Sequence, residues 1–115
     1  MRKKKIKIPL YFGELILIED RGLMEVKKKH NFKEMEGFAA ISFRNPTKKG
    51  YSRYVIAVRK GWVKPDLIAH EAMHIVSKVF EDRGMQCQLD NDEPQAYLMG
   101  WVVKECHKFF KVKKS

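Results

Sequence analysis

The segment Ile68-Ala69-His70-Glu71-Ala72-Met73-His74 lies where the apolar period of this 115-residue chain changes from two residues to about 3.6. Pro65 is tolerated in a first helical turn, and Gly84 suits a left-handed residue just past a helix end. We therefore predict a helix from about residue 65 to residue 82. Its apolar residues share one face, which we expect to pack against the rest of the chain: Ile68, Ala72, Ile75, Val76, Val79 and Phe80.

His70 and His74 project from the opposite side of this helix, about 180° from the centre of the apolar face. They lie about 40° apart around the axis and about 6 Å apart along it, so both imidazoles can reach one metal ion. With Glu71 they form H-E-x-x-H, the pattern of zinc-dependent hydrolases. The alternative is an exposed histidine pair on a polar helix face.

Glu71 is rotated about 100° from His70, which places it beside the metal rather than on it. A carboxylate there can accept a proton from the attacking water and pass it to a leaving amine, so we predict that Glu71 is the general base. The alternative is a solvated helix carboxylate.

A catalytic zinc site usually has three protein ligands, and acidic residues follow the helix. Eighteen residues separate His74 from Glu93. Asp90 and Asp92 flank Glu93 and are competing ligands, although Asp92 also suits a helix cap. Gly100 lies in the middle of the last predicted helix. A glycine there predicts close packing of that helix against a neighbour, which would help to bring Glu93 to the histidines.

The motif His70-Glu71-Ala72-Met73-His74, eighteen residues and Glu93 resembles the gluzincin metallopeptidases, with the spacing of the aminopeptidase-N branch. The short chain is similar to the minigluzincins and to compact zincin-like proteins of phages and mobile elements. The resemblance implies one zinc ion bound by His70, His74 and Glu93, with Glu71 as general base. It also implies that an edge strand of a hairpin, with residues 51–58 as the candidate, pairs with an extended peptide.

The other segments predict a small sheet beside the metal-binding helix. Residues 6–18 indicate one long bent strand or two short ones, residues 21–31 a short helix, and residues 38–43 and 51–58 a hairpin. A last helix is predicted from about Asp92 to residue 110. The expected fold is a single α+β zincin-like domain over residues 1–115, in the order strand, helix, strand, strand, helix, helix, with an antiparallel or mixed sheet.

Charge and composition limit the classes of partner that this protein could bind. The formal net charge of +10 suits nucleic acid, an anionic membrane surface or acidic protein substrates, but the lysine clusters are also typical of solvated tails and faces. No apolar stretch approaches the roughly 18 residues of a bilayer span, and the N-terminus lacks the apolar part of a signal peptide. We therefore expect no membrane partner and a cytoplasmic location. Cys87 and Cys106 lack C-x-x-C spacing and are expected to be free thiols.

Together these patterns predict a zinc-dependent peptidase that resembles metalloendopeptidases, because the sequence shows no exopeptidase motif. Its partner is then a peptide or protein substrate. Two alternatives remain. One is a nucleic-acid-associated accessory protein with a structural or vestigial zinc site. The other is a latent protease whose cleft is covered by the basic residues 111–115 or by another protein.

Overall fold

The structure is a computed structural model that describes residues 1–21, 39–86, 90 and 92–110. These residues form an α+β fold with a four-stranded mixed sheet and two helices. The strands are β1 (Arg2–Lys7), β2 (Glu14–Asp20), β3 (Ala40–Arg44) and β4 (Arg53–Arg59), and the helices are α1 (Pro65–Asp82) and α2 (Glu93–Phe109). The strand order is β1-β2-β4-β3.

The N-terminal segment forms two strands, the second of the two predicted alternatives, and they pair antiparallel. β1 begins before the predicted boundary and contains the basic cluster Arg2-Lys3-Lys4-Lys5, whose residues are all exposed. Of the helix predicted over residues 21–31, only Arg21 lies within the described part of the chain. Cys87 and residues 111–115 also lie outside it.

The predicted hairpin is confirmed, since β3 and β4 pair antiparallel. β4 also pairs in parallel with β2. The expectation that residues 51–58 form the edge strand is therefore wrong, because hydrogen bonds to neighbours occupy both sides of β4. The edge strand on this side of the sheet is β3.

The first helix has the predicted bounds, Pro65–Asp82, and its predicted apolar face is buried. Gly84 has φ +68°. The amide of Met85 donates to the carbonyl of Phe80 at 2.8 Å, and that of Gly84 donates to the carbonyl of Glu81 at 3.2 Å. These two bonds form a Schellman motif, so the glycine ends the helix as expected.

The two helices run antiparallel. Tyr54, paired with Leu15 at the start of β2, donates a hydrogen bond to Asp82 at the end of α1. Arg2, paired with Glu19 near the other end of β2, donates to the carbonyl of Phe109 at the end of α2. The C-terminal ends of the helices therefore lie at opposite ends of the sheet.

No helix in the described ranges is long and apolar enough to cross a membrane. One core fills the space between the sheet and both helices. Helix residues contribute more to this core than strand residues do, and its members include Leu15, Tyr54, Ile56, Ile75, Val79, Leu98 and Val102. A smaller buried cluster lies on the other face of the sheet: Ile16, Ile18, Phe43, Val55 and Ala57. Alternate residues of β2 and β4 therefore face opposite sides, and both sides are buried.

Candidate metal centre

His70 and His74 lie side by side on the exposed face of α1, opposite its buried face. Their Nε2 atoms are 3.1 Å apart, and their rings meet edge to face at 75°. Two nitrogens bound tetrahedrally to one zinc ion at about 2.0–2.1 Å would be separated by about 3.3 Å. The same distance suits a hydrogen bond between one protonated and one unprotonated imidazole. The separation therefore suits either a hydrogen bond between the two rings or a shared ion.

Glu71, between the two histidines in sequence, is buried, with 6% of its surface exposed. The expectation that it is a solvated carboxylate is therefore excluded. Its Oε2 atom has no hydrogen-bond partner among the described residues. An unpaired buried acceptor costs about 1–3 kcal/mol or more when charged, so this oxygen favours a site that receives a proton donor such as a water. Both observations fit the residues to a zinc ion with an adjacent base.

These three side chains open onto a cleft of about 310 Å³ between α1 and the edge strand. One wall is helical and the other is formed by β3; the lining residues are Ala40, Ile41, Ser42, His70, Glu71, His74 and Lys78. Burial is the main cause that lowers the pKa of Lys78, and the positive charge of Arg44 adds to it. The cleft thus holds two imidazoles, one carboxylate and one amine.

The outer edge of β3 faces away from β4 and presents backbone groups at this cleft. The amide of Arg59 donates to the carbonyl of Ala39, and that of Asn45 donates to the carbonyl of Arg53. In an antiparallel ladder, hydrogen-bonded pairs alternate with pairs whose amides and carbonyls point outward. In this register the outward groups belong to Ala40, Ser42 and Arg44.

Glu93 is exposed in the first turn of α2 and does not line the cleft. It lies about half a turn from the buried face of its helix, which carries Leu98, Val102 and Cys106. Because the helices are antiparallel, Glu93 lies at the end of the sheet where α1 finishes. His74 precedes Asp82 by eight residues, or about 12 Å of helix.

Within the described residues, no group of three or more His, Cys, Asp and Glu side chains is arranged to hold a metal ion. Asp90 and Asp92 are both exposed. Asp92 occupies the N-cap position, but its side chain makes no capping hydrogen bond. The structure therefore brings His70, His74 and Glu71 to one cleft and does not bring Glu93 there, so Glu93 as third ligand stays a prediction.

One further expectation about α2 is wrong. Gly100 is exposed, and a Cβ atom added to it would meet nothing within 4 Å beyond its own chain neighbours and helix backbone, so close packing does not explain this glycine. Trp101 packs partly against the core, whereas Tyr97 is exposed. The buried face begins one position later, at Leu98.

Cys106 is the one cysteine among the described residues, and its thiol is free and buried. Burial is the main cause that raises its pKa to about 12, and the charges of Glu105 and Glu71 add to this. The charge of Glu71 affects the pKa of Cys106 because the first half of α1 lies beside the last turns of α2. This agrees with the antiparallel arrangement of the two helices.

Sequence reasoning missed Lys78 and the identity of the cleft wall. Lys78 follows His74 by four residues, so a helical wheel of the same segment would have found it. The approach of β3 to the histidines has no local signal, because it depends on strand order. Comparisons with protein-family models, with curated proteins and with solved structures found no match to this chain.

Proposed function

We propose that this protein is a zinc-dependent peptidase that cleaves extended polypeptide segments. The observation that carries the proposal is the 3.1 Å separation of the His70 and His74 Nε2 atoms, together with the buried carboxylate oxygen of Glu71, which has no hydrogen-bond partner among the described residues. A zinc ion held by the two imidazoles would polarise a scissile carbonyl and lower the pKa of a water. The donor set suits this ion, since imidazole is among its preferred ligands.

Glu71 is the general base in this proposal. Its Oε2 accepts the proton of the attacking water, and the protonated carboxyl then delivers that proton to the leaving amine. Burial keeps the carboxylate in one place, and among the described residues Oε2 makes no hydrogen bond that the reaction would have to break. The proton transfer therefore needs no rearrangement of an existing hydrogen bond.

The edge strand binds the substrate backbone. Ala40 and Ser42 direct amide and carbonyl groups at the cleft, so an extended peptide can add to the sheet as a further strand. This arrangement selects unfolded or extended segments, because a helix does not present a free backbone. Lys78 is the cationic side chain of the cleft and is the candidate donor to the oxyanion that develops on the carbonyl oxygen.

The test measures zinc content and peptide hydrolysis together. Purified protein loaded with zinc is assayed against an unstructured protein such as casein, and bound metal is quantified by mass spectrometry. Glu71→Gln should retain zinc and lose at least a hundredfold in rate, because it removes the base and leaves the imidazoles. His70→Ala and His74→Ala should each lose zinc and activity.

Matched variants separate these effects from general damage. His107→Ala removes an exposed histidine from α2, and Asp66→Asn neutralises an exposed carboxylate in the first turn of α1. Both should retain zinc and rate within about twofold. An unaltered rate in Glu71→Gln would contradict the role of Glu71 as general base. Zinc binding that survives both histidine substitutions would contradict the proposed metal site.

A further inference from the structure

The loop between β1 and β2 holds two large apolar side chains in solvent. Leu10 is 77% exposed and Phe12 is 78% exposed. Both residues have left-handed backbone angles, with φ +68° for Leu10 and +59° for Phe12. Side chains other than glycine rarely adopt these angles, which cost roughly 1–2 kcal/mol per residue. This loop therefore combines two unfavourable features, exposed apolar side chains and left-handed backbone angles.

The rest of the fold keeps the loop in this conformation. Arg83, just after α1, donates from Nε to the carbonyl of Tyr11 at 2.5 Å and from Nη2 to that of Phe12 at 3.2 Å. The ring of Tyr11 packs on Phe80 with centroids 5.6 Å apart. Tyr11 is thus the anchor that faces inward, and the residues on either side of it point outward. Strain held in place by surrounding contacts is characteristic of functional sites.

The neighbouring surface is apolar and basic. Leu10 and Phe12 border a groove of about 310 Å³ that also includes Lys7 and the exposed ring of Tyr51. We name Leu10, Phe12 and Tyr51 the apolar tip. Lys7 borders this groove, and Lys48 and Lys49 are exposed in the turn that leads to Tyr51. We name these three lysines the basic collar. The nearest acidic residue along these two loops is Glu14, which is partly buried.

We propose that the apolar tip docks this protein on an anionic lipid surface. Leucine and aromatic side chains enter the boundary between headgroups and acyl chains, while lysines remain at the level of the phosphates. The collar and the net charge of +10 complement a negatively charged leaflet. This contact is peripheral, and it departs from the expectation of no membrane partner, which rested on the lack of an apolar stretch long enough to span a bilayer.

Two other occupants fit less well. Docking of a second copy through the same face would bring two basic collars together, and like charges repel. Single-stranded nucleic acid binds by stacking on aromatic faces, whereas Leu10, one of the two most exposed apolar groups, has no ring. A surface of aliphatic and aromatic groups accompanied by exposed lysines favours lipid.

The test uses Leu10→Gly/Phe12→Gly in the full chain. Glycine adopts these backbone angles without strain, so the variant should fold with an equal or higher midpoint of thermal unfolding. Sedimentation with vesicles of phosphatidylcholine and phosphatidylserine at 70:30 should show wild-type partitioning at least tenfold above that with phosphatidylcholine alone. The glycine variant should lose at least tenfold on the anionic vesicles.

Trp62→Ser is the matched control, because Trp62 is an exposed aromatic residue that follows the opposite end of β4. It should bind anionic vesicles within twofold of wild type. In Phe12→Trp, brominated acyl chains should quench more fluorescence than in the wild type. Equal binding to both kinds of vesicle, or unchanged binding by the folded glycine variant, would overturn the proposal. Conversion of an oligomer to a monomer by the glycine pair, without loss of vesicle binding, would assign the tip to self-association instead.

Discussion

Arg44, the last residue of the edge strand β3, is paired with Asp82, the last residue of α1. The Nε atom of Arg44 lies 3.1 Å from each carboxylate oxygen of Asp82, and its Nη2 lies 3.0 Å from Oε1 of Glu81. Both acids lie at the C-terminal end of α1, where the helix dipole disfavours negative charge. The guanidinium offsets that repulsion and fixes β3 against α1, which defines the two walls of the candidate cleft.

Tyr54, on the inner strand β4, also contacts Asp82. Removing its hydroxyl group tests how much this hydrogen bond contributes to the stability of the fold. Its hydroxyl donates to Oδ2 of Asp82 at 2.6 Å, and burial is the first cause that raises the pKa of Tyr54 to about 12, followed by this hydrogen bond. Tyr54→Phe should lower the free energy of unfolding by about 1–2 kcal/mol in urea titrations, because a hydrogen bond to a charged group is lost. Tyr51→Phe, at an exposed ring, should change it by less than about 0.5 kcal/mol.

The carboxylate of Asp82 predicts a dependence of stability on pH. Its burial alone would raise the pKa, but hydrogen bonds from Tyr54 and Arg44 and nearby positive charges outweigh burial and lower it below 3.8. A carboxyl group with a lowered pKa in the folded state stabilises the protein above its unfolded pKa, and this contribution disappears as pH falls through the folded pKa. The stability difference between wild type and Asp82→Asn should therefore be constant from pH 7 to about 5 and shrink below about pH 4.

A second pair of variants checks that assignment. In a Tyr54→Phe background, the pH-dependent part of the difference should be smaller, because one hydrogen bond to the carboxylate is already absent. The measurement is urea unfolding at several pH values for the four proteins of the cycle. An unchanged pH course in that background would show that Tyr54 does not contribute to the lowered pKa.

Replacing Gly100 with alanine should stabilise the protein. It is exposed inside α2, and an added Cβ would meet nothing within 4 Å beyond its own chain neighbours and helix backbone. Gly100→Ala should raise the free energy of unfolding by about 0.5–1 kcal/mol, since alanine loses less conformational entropy in a helix. Thermal unfolding measures this change. A lower midpoint would show that the glycine is needed for a contact that α2 makes in another state.

Glu93 is the residue on which the resemblance and the geometry differ. The gluzincin pattern predicts loss of zinc in Glu93→Ala, whereas the antiparallel helices place Glu93 at the Asp82 end of α1. We expect zinc affinity to fall by less than tenfold in this variant and by more than a hundredfold in His70→Ala. Competition with a chelating dye measures both. A loss equal to that of the histidine variant would restore Glu93 as third ligand and would require α2 to shift when zinc binds.

The sequence predicted the features that depend on neighbours along the chain. The bounds of α1, its buried face and the placement of His70 and His74 opposite that face follow from the rise and rotation of a helix. The β3–β4 hairpin follows from two apolar segments around a turn. The fold class could be predicted for the same reason, because element types are set by local periodicity.

Tertiary structure alone decided the features that join distant segments. The insertion of β2 beside β4 made β3 the edge strand, and the packing of α1 on the sheet buried Glu71 between two exposed histidines. The same packing set the direction of α2, so a spacing of eighteen residues did not bring Glu93 to the cleft. Helical periodicity fixes which residues share a face, but where that face lies depends on contacts with residues far away in the chain.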